Sequence, residues 1–115
     1  MILKKSDIVP DSITGGLGTV AIRMPSHKVA AELIRTSGVY IAAPSANTSG
    51  KPSPTRASHV IKDLSGKIDM IIEDDTVDIG VESTIIDLSE EVPTILRPGY
   101  ITKEMFEEVI GGVRI

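Results

Sequence analysis

The fold class is decided by residues 39–65, which read VYIAAPSANTSGKPSPTRASHVIKDLS. The first five residues form a short apolar run typical of a buried strand, and residues 56–65 carry apolar side chains at helical spacing before Gly66. Between them lies a polar loop, stiffened by Pro44, Pro52 and Pro54. A strand, a loop and a helix in this order are one unit of an α/β fold, and open α/β sheets bind ligands in such loops.

The remaining segments continue the alternation of strands and helices. The patterns predict strands over residues 17–24, 68–72, 83–88 and 92–96, and helices over residues 26–38 and 102–111. Ser26 and Thr102 suit the first positions of the two helices, and Gly38 and Gly111 suit their ends. We therefore expect an α/β fold in which the strands form part of an open mixed sheet with flanking helices.

Composition excludes several classes of protein. With 115 residues, 41% hydrophobic and 24% charged, the chain is one soluble globular domain rather than a disordered segment. It has no cysteine, which excludes disulfides, thiolate catalysis and Cys-based zinc sites. The net charge of −4 argues against broad nucleic-acid binding. The apolar start, residues 1–3, is too short for a signal peptide or a membrane span, so we expect a cytoplasmic protein without a membrane partner.

The proline loop, residues 42–55, is the first candidate for ligand binding. Ser45, Asn47 and Ser53 offer neutral hydrogen-bonding groups, and Lys51 adds a positive charge. The start of the following helix, near Thr55, favours an anion. The alternative is a rigid crossover whose side chains only satisfy their own backbone. The residues alone favour the two interpretations equally.

Two arginines at predicted strand ends are the next candidates. Arg23 closes the strand over residues 17–24, and Arg97 precedes Pro98 at the end of another strand. A guanidinium group there can make two parallel hydrogen bonds to a phosphate or a carboxylate. Thr19 lies four residues before Arg23, on the same face of the strand by period-two spacing. Taken singly, each arginine fits an ordinary solvated charge or an internal ion pair better than a ligand contact.

Three other features favour structural interpretations. The carboxylates of residues 73–78 lack the ligand spacing of a calcium loop and indicate a solvated turn, so no metal ligand is predicted. His27 and His59 fall on predicted helices without catalytic partners and are expected at the surface or at a helix cap. Residues 80–84, which read GVEST, are typical of a polar strand edge, although they could contact a small polar ligand.

Four motifs occur in a fixed order along the chain. They read GTVAIRMP at residues 18–25, APSANTSGKPSPT at 43–55, GVESTIID at 80–87 and ILRPG at 95–99. Together they resemble the YrdC-like family of threonylcarbamoyl-AMP synthases. The resemblance implies a twisted open mixed sheet with flanking helices and a concave, positively lined cavity. It also implies the conversion of ATP, L-threonine and bicarbonate into threonylcarbamoyl-AMP and pyrophosphate, a nucleotidyltransferase step in the threonylcarbamoyladenosine modification of tRNA.

The resemblance also assigns site residues. Matching positions imply four contacts to ATP (Thr19, Ser45, Ser53 and Arg97) and three to threonine (Arg23, Ala43 and Ser83). Mg²⁺ is expected to accompany the triphosphate. No covalent nucleophile is required, because catalysis would consist of positioning a carbamate against the α-phosphate and neutralising the departing pyrophosphate. No catalytic side chain is therefore assigned.

The resemblance is partial. Family members carry a further N-terminal segment with a Lys-x-Arg basic motif for the phosphates and more of the threonine pocket, and nothing in this chain replaces it. We therefore expect residues 1–115 to form a single, N-terminally truncated YrdC-like domain that is weakly active or inactive.

Two other interpretations remain open. A non-catalytic RNA-binding module, for tRNA or another RNA, would need clustering of its cations, which are Arg23, Lys51, Arg56 and Arg97. An inert folding fragment would be kept soluble by self-association, as a homo-oligomer, through a sheet edge exposed by the missing half.

Overall fold

A computed structural model describes residues 1–74 and 82–115. These residues divide into two compact units: a sheet unit, Met1–Met24 with Val81–Ile115, and a helical unit, Pro25–Gly80. Over the two described ranges, no helix has both the length and the apolar character needed to cross a bilayer.

The sheet unit contains a four-stranded sheet in the order β2-β1-β3-β4. Its strands are β1 (Ile2–Lys4), β2 (Thr19–Ala21), β3 (Ile85–Asp87) and β4 (Thr94–Arg97). Strand β1 pairs antiparallel with β2 and parallel with β3, and β3 pairs antiparallel with β4. The predicted mixed sheet is therefore confirmed; β2, β3 and β4 are shorter than the patterns that indicated them, and β1 was not predicted.

The core of the sheet unit is small. Ile86 of β3, Ile95 of β4 and Val113 are buried against one another, and Leu88 and Phe106 pack around them half-buried. The C-terminal residues reach this core by running beside β4, where the Ile95 amide donates to the carbonyl of Arg114 at 2.7 Å. Phe106 belongs to helix α4 (Lys103–Ile110), so the same cluster holds that helix against the sheet.

The connection between β3 and β4 is fixed by one carboxylate. The side chain of Asp87 accepts hydrogen bonds from the Ser89 hydroxyl at 2.6 Å and from the Ser89 amide at 2.8 Å. Both bonds favour the ionised carboxylate and hold the pKa of Asp87 below its ordinary value. Ser89 is itself buried, so the turn between β3 and β4 is anchored beside the core.

Local capping residues determine where the helices of the sheet unit begin and end. Thr102 caps α4, as predicted, by accepting a hydrogen bond from the amide of Met105 at 3.3 Å. A short helix that the sequence analysis missed, α1 (Asp11–Thr14), precedes β2 and ends at Gly15 in the left-handed conformation. Gly15 is therefore a helix stop, and residues 16–18 connect it to β2.

The helical unit contains α2 (Lys28–Ser37) and α3 (Ala57–Leu64). Both helices were predicted, although α2 begins after His27 rather than Ser26. The predicted strands over residues 39–43 and 68–72 are wrong: no strand is formed there, and Tyr40 and Met70 are 99% and 75% exposed. A strand needs a neighbour to pair with its backbone, and within the described part of this unit no such neighbour is present.

Candidate functional site

The proline loop in the helical unit is braced by its own asparagine. The side-chain amide of Asn47 donates to the carbonyls of Thr48 and Lys51, at 2.9 and 3.0 Å. The Lys51 amide also donates to Thr48, and Gly50 supplies the positive φ of 85° that this turn needs. The amide nitrogen of Asn47 is therefore used by the local backbone, whereas its Oδ1 is buried without a partner among the described residues.

The serines of the loop behave differently. Ser45 and Ser53 are both exposed, and neither hydroxyl makes a hydrogen bond to any residue in the two described ranges. Ala43, the third candidate on this segment, is exposed directly before Pro44. The loop thus combines a stiff backbone with uncommitted hydroxyl groups, an arrangement that limits the entropy lost when a ligand binds.

The second half of the loop folds over α3. Lys51 donates to the carboxylate of Asp63 at 2.9 Å, and the Thr55 amide approaches Nδ1 of His59 at 3.5 Å. The hydrogen bond from Lys51 is the main reason that the pKa of Asp63 lies below its ordinary value. A cavity of about 340 Å³ lies between residues 51–55 and the facing side of α3, and Ser53 is part of its lining.

In the sheet unit, strand register decides which candidates lie together. Ala21 and Asp87 both pair with Ile2, whereas Arg97 pairs with Ile85, two residues before Asp87. Arg23, two residues after Ala21, therefore lies level with Arg97, and Ser83 precedes β3 at this same end. We call it the arginine end of the sheet.

Three strand spacings of about 4.8 Å separate the backbones of Arg23 and Arg97 by roughly 14 Å. Thr19 pairs with Lys4 at the opposite end, about 13 Å along the strand from Arg23 at the usual rise per residue. The register therefore places Arg23 at the same end of the sheet as Arg97 and Ser83, of which only the last two are in contact, and it places Thr19 at the other end. Strand β2 also stops at Ala21, so Arg23 follows the strand instead of closing it.

The two arginines differ in their partners. The guanidinium of Arg97 donates from Nε and Nη2 to the carbonyl of Ser83, at 3.1 and 2.8 Å, and Nη1 lies 3.5 Å from a carboxylate oxygen of Glu82. Arg23 is exposed and has no hydrogen bond or ion pair with the residues the structure describes. Arg97 is therefore fixed in place, while Arg23 is an uncommitted cation at the same end of the sheet.

The remaining candidates support structural roles. His27 caps α2 by accepting a hydrogen bond from the amide of Val29 at 3.2 Å, as expected. Asp75 and Asp78 of the acidic segment, with Gly80 and Val81, lie outside the described residues. Across residues 1–74 and 82–115, no group of three or more His, Asp or Glu side chains is arranged to hold a metal ion.

Two residues of this region were not identified from the sequence: Thr84 and Gly99. Both lie at the arginine end of the sheet, where residues 82–84 and 97–101 are in contact. The glycine was quoted within ILRPG, but the local sequence carries no signal for a contact between segments 17 residues apart. The clustered cations that an RNA-binding module would need are partly neutralised, since Lys51 and Arg97 both stand in ion pairs.

Comparison with known proteins relates this geometry to one group. A family model for Sua5, YciO and YrdC, described as telomere recombination, matches residues 1–99. The threonylcarbamoyl-AMP synthase of Pyrococcus abyssi is 57% identical over 115 residues, which are 100% of this chain and 34% of that protein. The synthase of Bacillus subtilis is 54% identical over 111 residues, 96% of this chain and 32% of that protein. The chain thus spans about a third of the length of the curated relatives it matches.

Solved structures agree with the sequence relatives. A double variant of P. abyssi Sua5 superimposes with a TM-score of 0.91 at 57% identity, covering 98% of this chain and 33% of that one. P. abyssi Sua5 complexed with L-threonine superimposes with a TM-score of 0.89, at the same identity and coverage. The fold described above is therefore the fold of the corresponding third of these structures.

Proposed function

The chain belongs to the Sua5/YciO/YrdC family, and from that premise we propose that it binds ATP and L-threonine as part of a threonylcarbamoyl-AMP synthase. The observation that carries the proposal is the arginine end of the sheet, where Arg97 and Ser83 are already in contact and Arg23 lies level with them. A fixed guanidinium and an uncommitted one at the same end of the sheet suit two anionic groups, a phosphate and a carboxylate.

Each substrate has a set of proposed contacts. For ATP these are Thr19, Ser45, Ser53 and Arg97, and for threonine they are Arg23, Ala43 and Ser83. The hydroxyls of Ser45 and Ser53 support the first assignment because they are exposed and uncommitted on a braced loop. The exposed cation of Arg23 supports the second, since the threonine carboxylate needs a positive partner.

The reaction in this proposal needs no covalent enzyme intermediate. Bicarbonate and the amine of threonine form a carbamate with loss of water, a carbamate oxygen attacks the α-phosphorus, and pyrophosphate leaves. The residues named here would bind, orient and neutralise charge, which is how positioning and electrostatics lower such barriers. The product would feed the threonylcarbamoyl modification of tRNA in the cytoplasm.

Mg²⁺ would enter with the nucleotide. Its preferred ligands are oxygens, and it is commonly held by substrate phosphates, water and one or two protein oxygens. The exposed hydroxyls of Ser45 and Ser53 on the proline loop could supply one such protein oxygen. When bound, the ion would neutralise part of the triphosphate charge.

Isothermal titration tests the ATP assignment. We expect the 115-residue chain to bind ATP·Mg weakly, in the millimolar range or just below, because it spans only about a third of its longer relatives. Ser53→Ala and Ser45→Ala should each weaken this binding. Ser49→Ala is the matched control, since Ser49 is an exposed serine of the same loop with no assigned contact. The absence of heat at millimolar ATP·Mg would reject the assignment.

Turnover is a separate measurement. With ATP, L-threonine and bicarbonate, we expect pyrophosphate release far slower than that of the full-length P. abyssi synthase under the same conditions. Equal rates would show that this chain, which spans about a third of the length of its relatives, is sufficient for catalysis, contrary to the proposal.

A further inference from the structure

Residues 82–84 and 97–101 form a close pair of segments just beyond the paired ends of β3 and β4. We call this pair the Ser83 clip. The Tyr100 amide donates to the carbonyl of Glu82 at 3.2 Å, and the Arg97 guanidinium makes its two hydrogen bonds to the next carbonyl, that of Ser83. The backbone on both sides of Ser83 is therefore held, while the Ser83 hydroxyl makes no hydrogen bond within the described ranges.

Thr84 closes the clip on one side. Its hydroxyl donates to the carbonyl of Ile101 at 2.7 Å and accepts from the amide of the same residue at 3.0 Å. One side chain thereby satisfies both backbone groups of a residue 17 positions away, where the sheet ladder no longer does so. The hydroxyl cannot be replaced by a methyl group without leaving Ile101 without these two partners.

Gly99 closes the clip on the other side. A Cβ atom at Gly99 would lie 2.3 Å from the carbonyl oxygen of Glu82, 2.5 Å from the amide nitrogen of Thr84 and 2.7 Å from the carbonyl carbon of Ser83. All three atoms belong to the backbone, so no side chain can rotate away to make room. Any residue other than glycine must therefore push the Ser83 segment outward.

We propose that Thr84 and Gly99 are positioning residues, which act through the Ser83 clip to present the Ser83 hydroxyl to threonine beside the ATP-binding guanidinium of Arg97. This inference rests on the proposed function, because it takes Ser83 as a threonine contact and Arg97 as an ATP contact. It adds that the residue assigned to threonine has its backbone held by the guanidinium assigned to ATP, since Arg97 donates to the carbonyl of Ser83.

Titration of the chain with L-threonine in the presence of ATP·Mg tests Thr84. We expect Thr84→Val to weaken threonine binding about tenfold and ATP·Mg binding less than about threefold, because Arg97 stays anchored on β4 while the Ser83 segment loosens. Thr84→Ser keeps the hydroxyl and should restore threonine affinity. The matched control is Thr94→Val, which removes a threonine hydroxyl from the same unit whose bond is local, to Val92.

Gly99→Ala is the independent second variant, with Gly112→Ala as its control. A Cβ at Gly112 meets nothing within 4 Å, so that change should leave both affinities unaltered, whereas Gly99→Ala should reproduce the selective loss of threonine binding. Circular dichroism at the assay temperature verifies that each variant is folded. A variant that loses both affinities in proportion, or a folded Thr84→Val that binds threonine normally, overturns the inference. If the unsubstituted chain binds ATP·Mg but no threonine, the threonine half of the proposed function fails, and the inference fails with it.

Discussion

The sheet unit and the helical unit contain similar apolar patterns, and they use them differently. The sheet unit buries three apolar side chains, those of Ile86, Ile95 and Val113. The strands that contain the first two, β3 and β4, were predicted. Among the described residues of the helical unit only Ala57 is buried, and both of its predicted strands are exposed coil. An apolar run becomes a strand only where a second segment pairs with its backbone and covers its side chains.

The largest effect that this comparison predicts is at the centre of the sheet unit. Ile86 is 1% exposed, so Ile86→Ala should lower the free energy of unfolding by about 2–5 kcal/mol through lost burial and the cavity left behind. Urea unfolding followed by circular dichroism measures this change. In the helical unit, Met70→Ala should change the stability by less than about 0.5 kcal/mol, because its side chain is 75% exposed. A comparable loss in the two variants would show that Met70 is covered in solution and that the contrast between the units is wrong.

The parts of the fold that were predicted correctly are those that depend on local chemistry. The start of helix α4 was predictable because Thr102 is a capping residue whose hydroxyl accepts a hydrogen bond from the amide three residues later. The end of α2 was predictable because glycine, here Gly38, readily takes the left-handed conformation that ends a helix. The strands β3 and β4 could be predicted from their own apolar patterns, over residues 83–88 and 92–96. The parallel pairing of β1 with β3 could not, since nothing local connects residues more than eighty positions apart.

The candidate site shows the same contrast between local and long-range contacts. The bracing of the proline loop by Asn47 is local and was one of the two alternatives that the residues allowed. The contact of Arg97 with Ser83 spans 14 positions, and the steric role of Gly99 depends on backbone atoms that the sequence does not bring near it. Motif resemblance nominated Arg97 and Ser83 separately, and only the structure shows that they touch.

A helix end in the helical unit gives the next largest effect. Gly38 ends α2 with a φ of 66°, and nothing lies within 4 Å of a Cβ placed there. Gly38→Ala should therefore lower stability through backbone strain alone, by about 1–2 kcal/mol. Amide hydrogen exchange along α2 measures this loss within its own unit. Gly18→Ala serves as the control, because its Cβ site is equally open. Unchanged protection of α2 in Gly38→Ala would mean that the helix ends elsewhere in solution.

The corresponding helix start in the sheet unit should give a somewhat smaller effect. Thr102→Ala removes the acceptor for the amide of Met105 and should lower stability by about 1 kcal/mol. Thr102→Ser, which keeps the oxygen, should recover most of that loss. Thermal unfolding of the two variants measures the difference. If alanine and serine are equivalent at this position, Phe106 packing alone positions α4, and the cap contributes nothing.

The smallest predicted effect is the pH dependence of the proline loop. The hydrogen bond from Lys51 lowers the pKa of Asp63 in the folded chain below its ordinary value of 3.8. The ionised carboxylate therefore stabilises the fold fully above that value, and the stabilisation is lost as pH falls through the lowered pKa. We expect amide exchange of Lys51, Ser53 and Thr55, corrected for its intrinsic rate, to quicken as the pH falls below about 3.8.

Asp63→Asn tests this attachment directly, because it removes the charge and keeps the shape of the side chain. The variant should expose the loop amides to faster exchange near neutral pH and lose the acid dependence. Asp69→Asn is the matched control, since Asp69 is an exposed carboxylate of the same unit with no ion pair among residues 1–74 and 82–115. If the acid dependence persists in Asp63→Asn, a different carboxylate holds the loop. The Lys51 charge would then be available to an anionic ligand instead of being committed to α3.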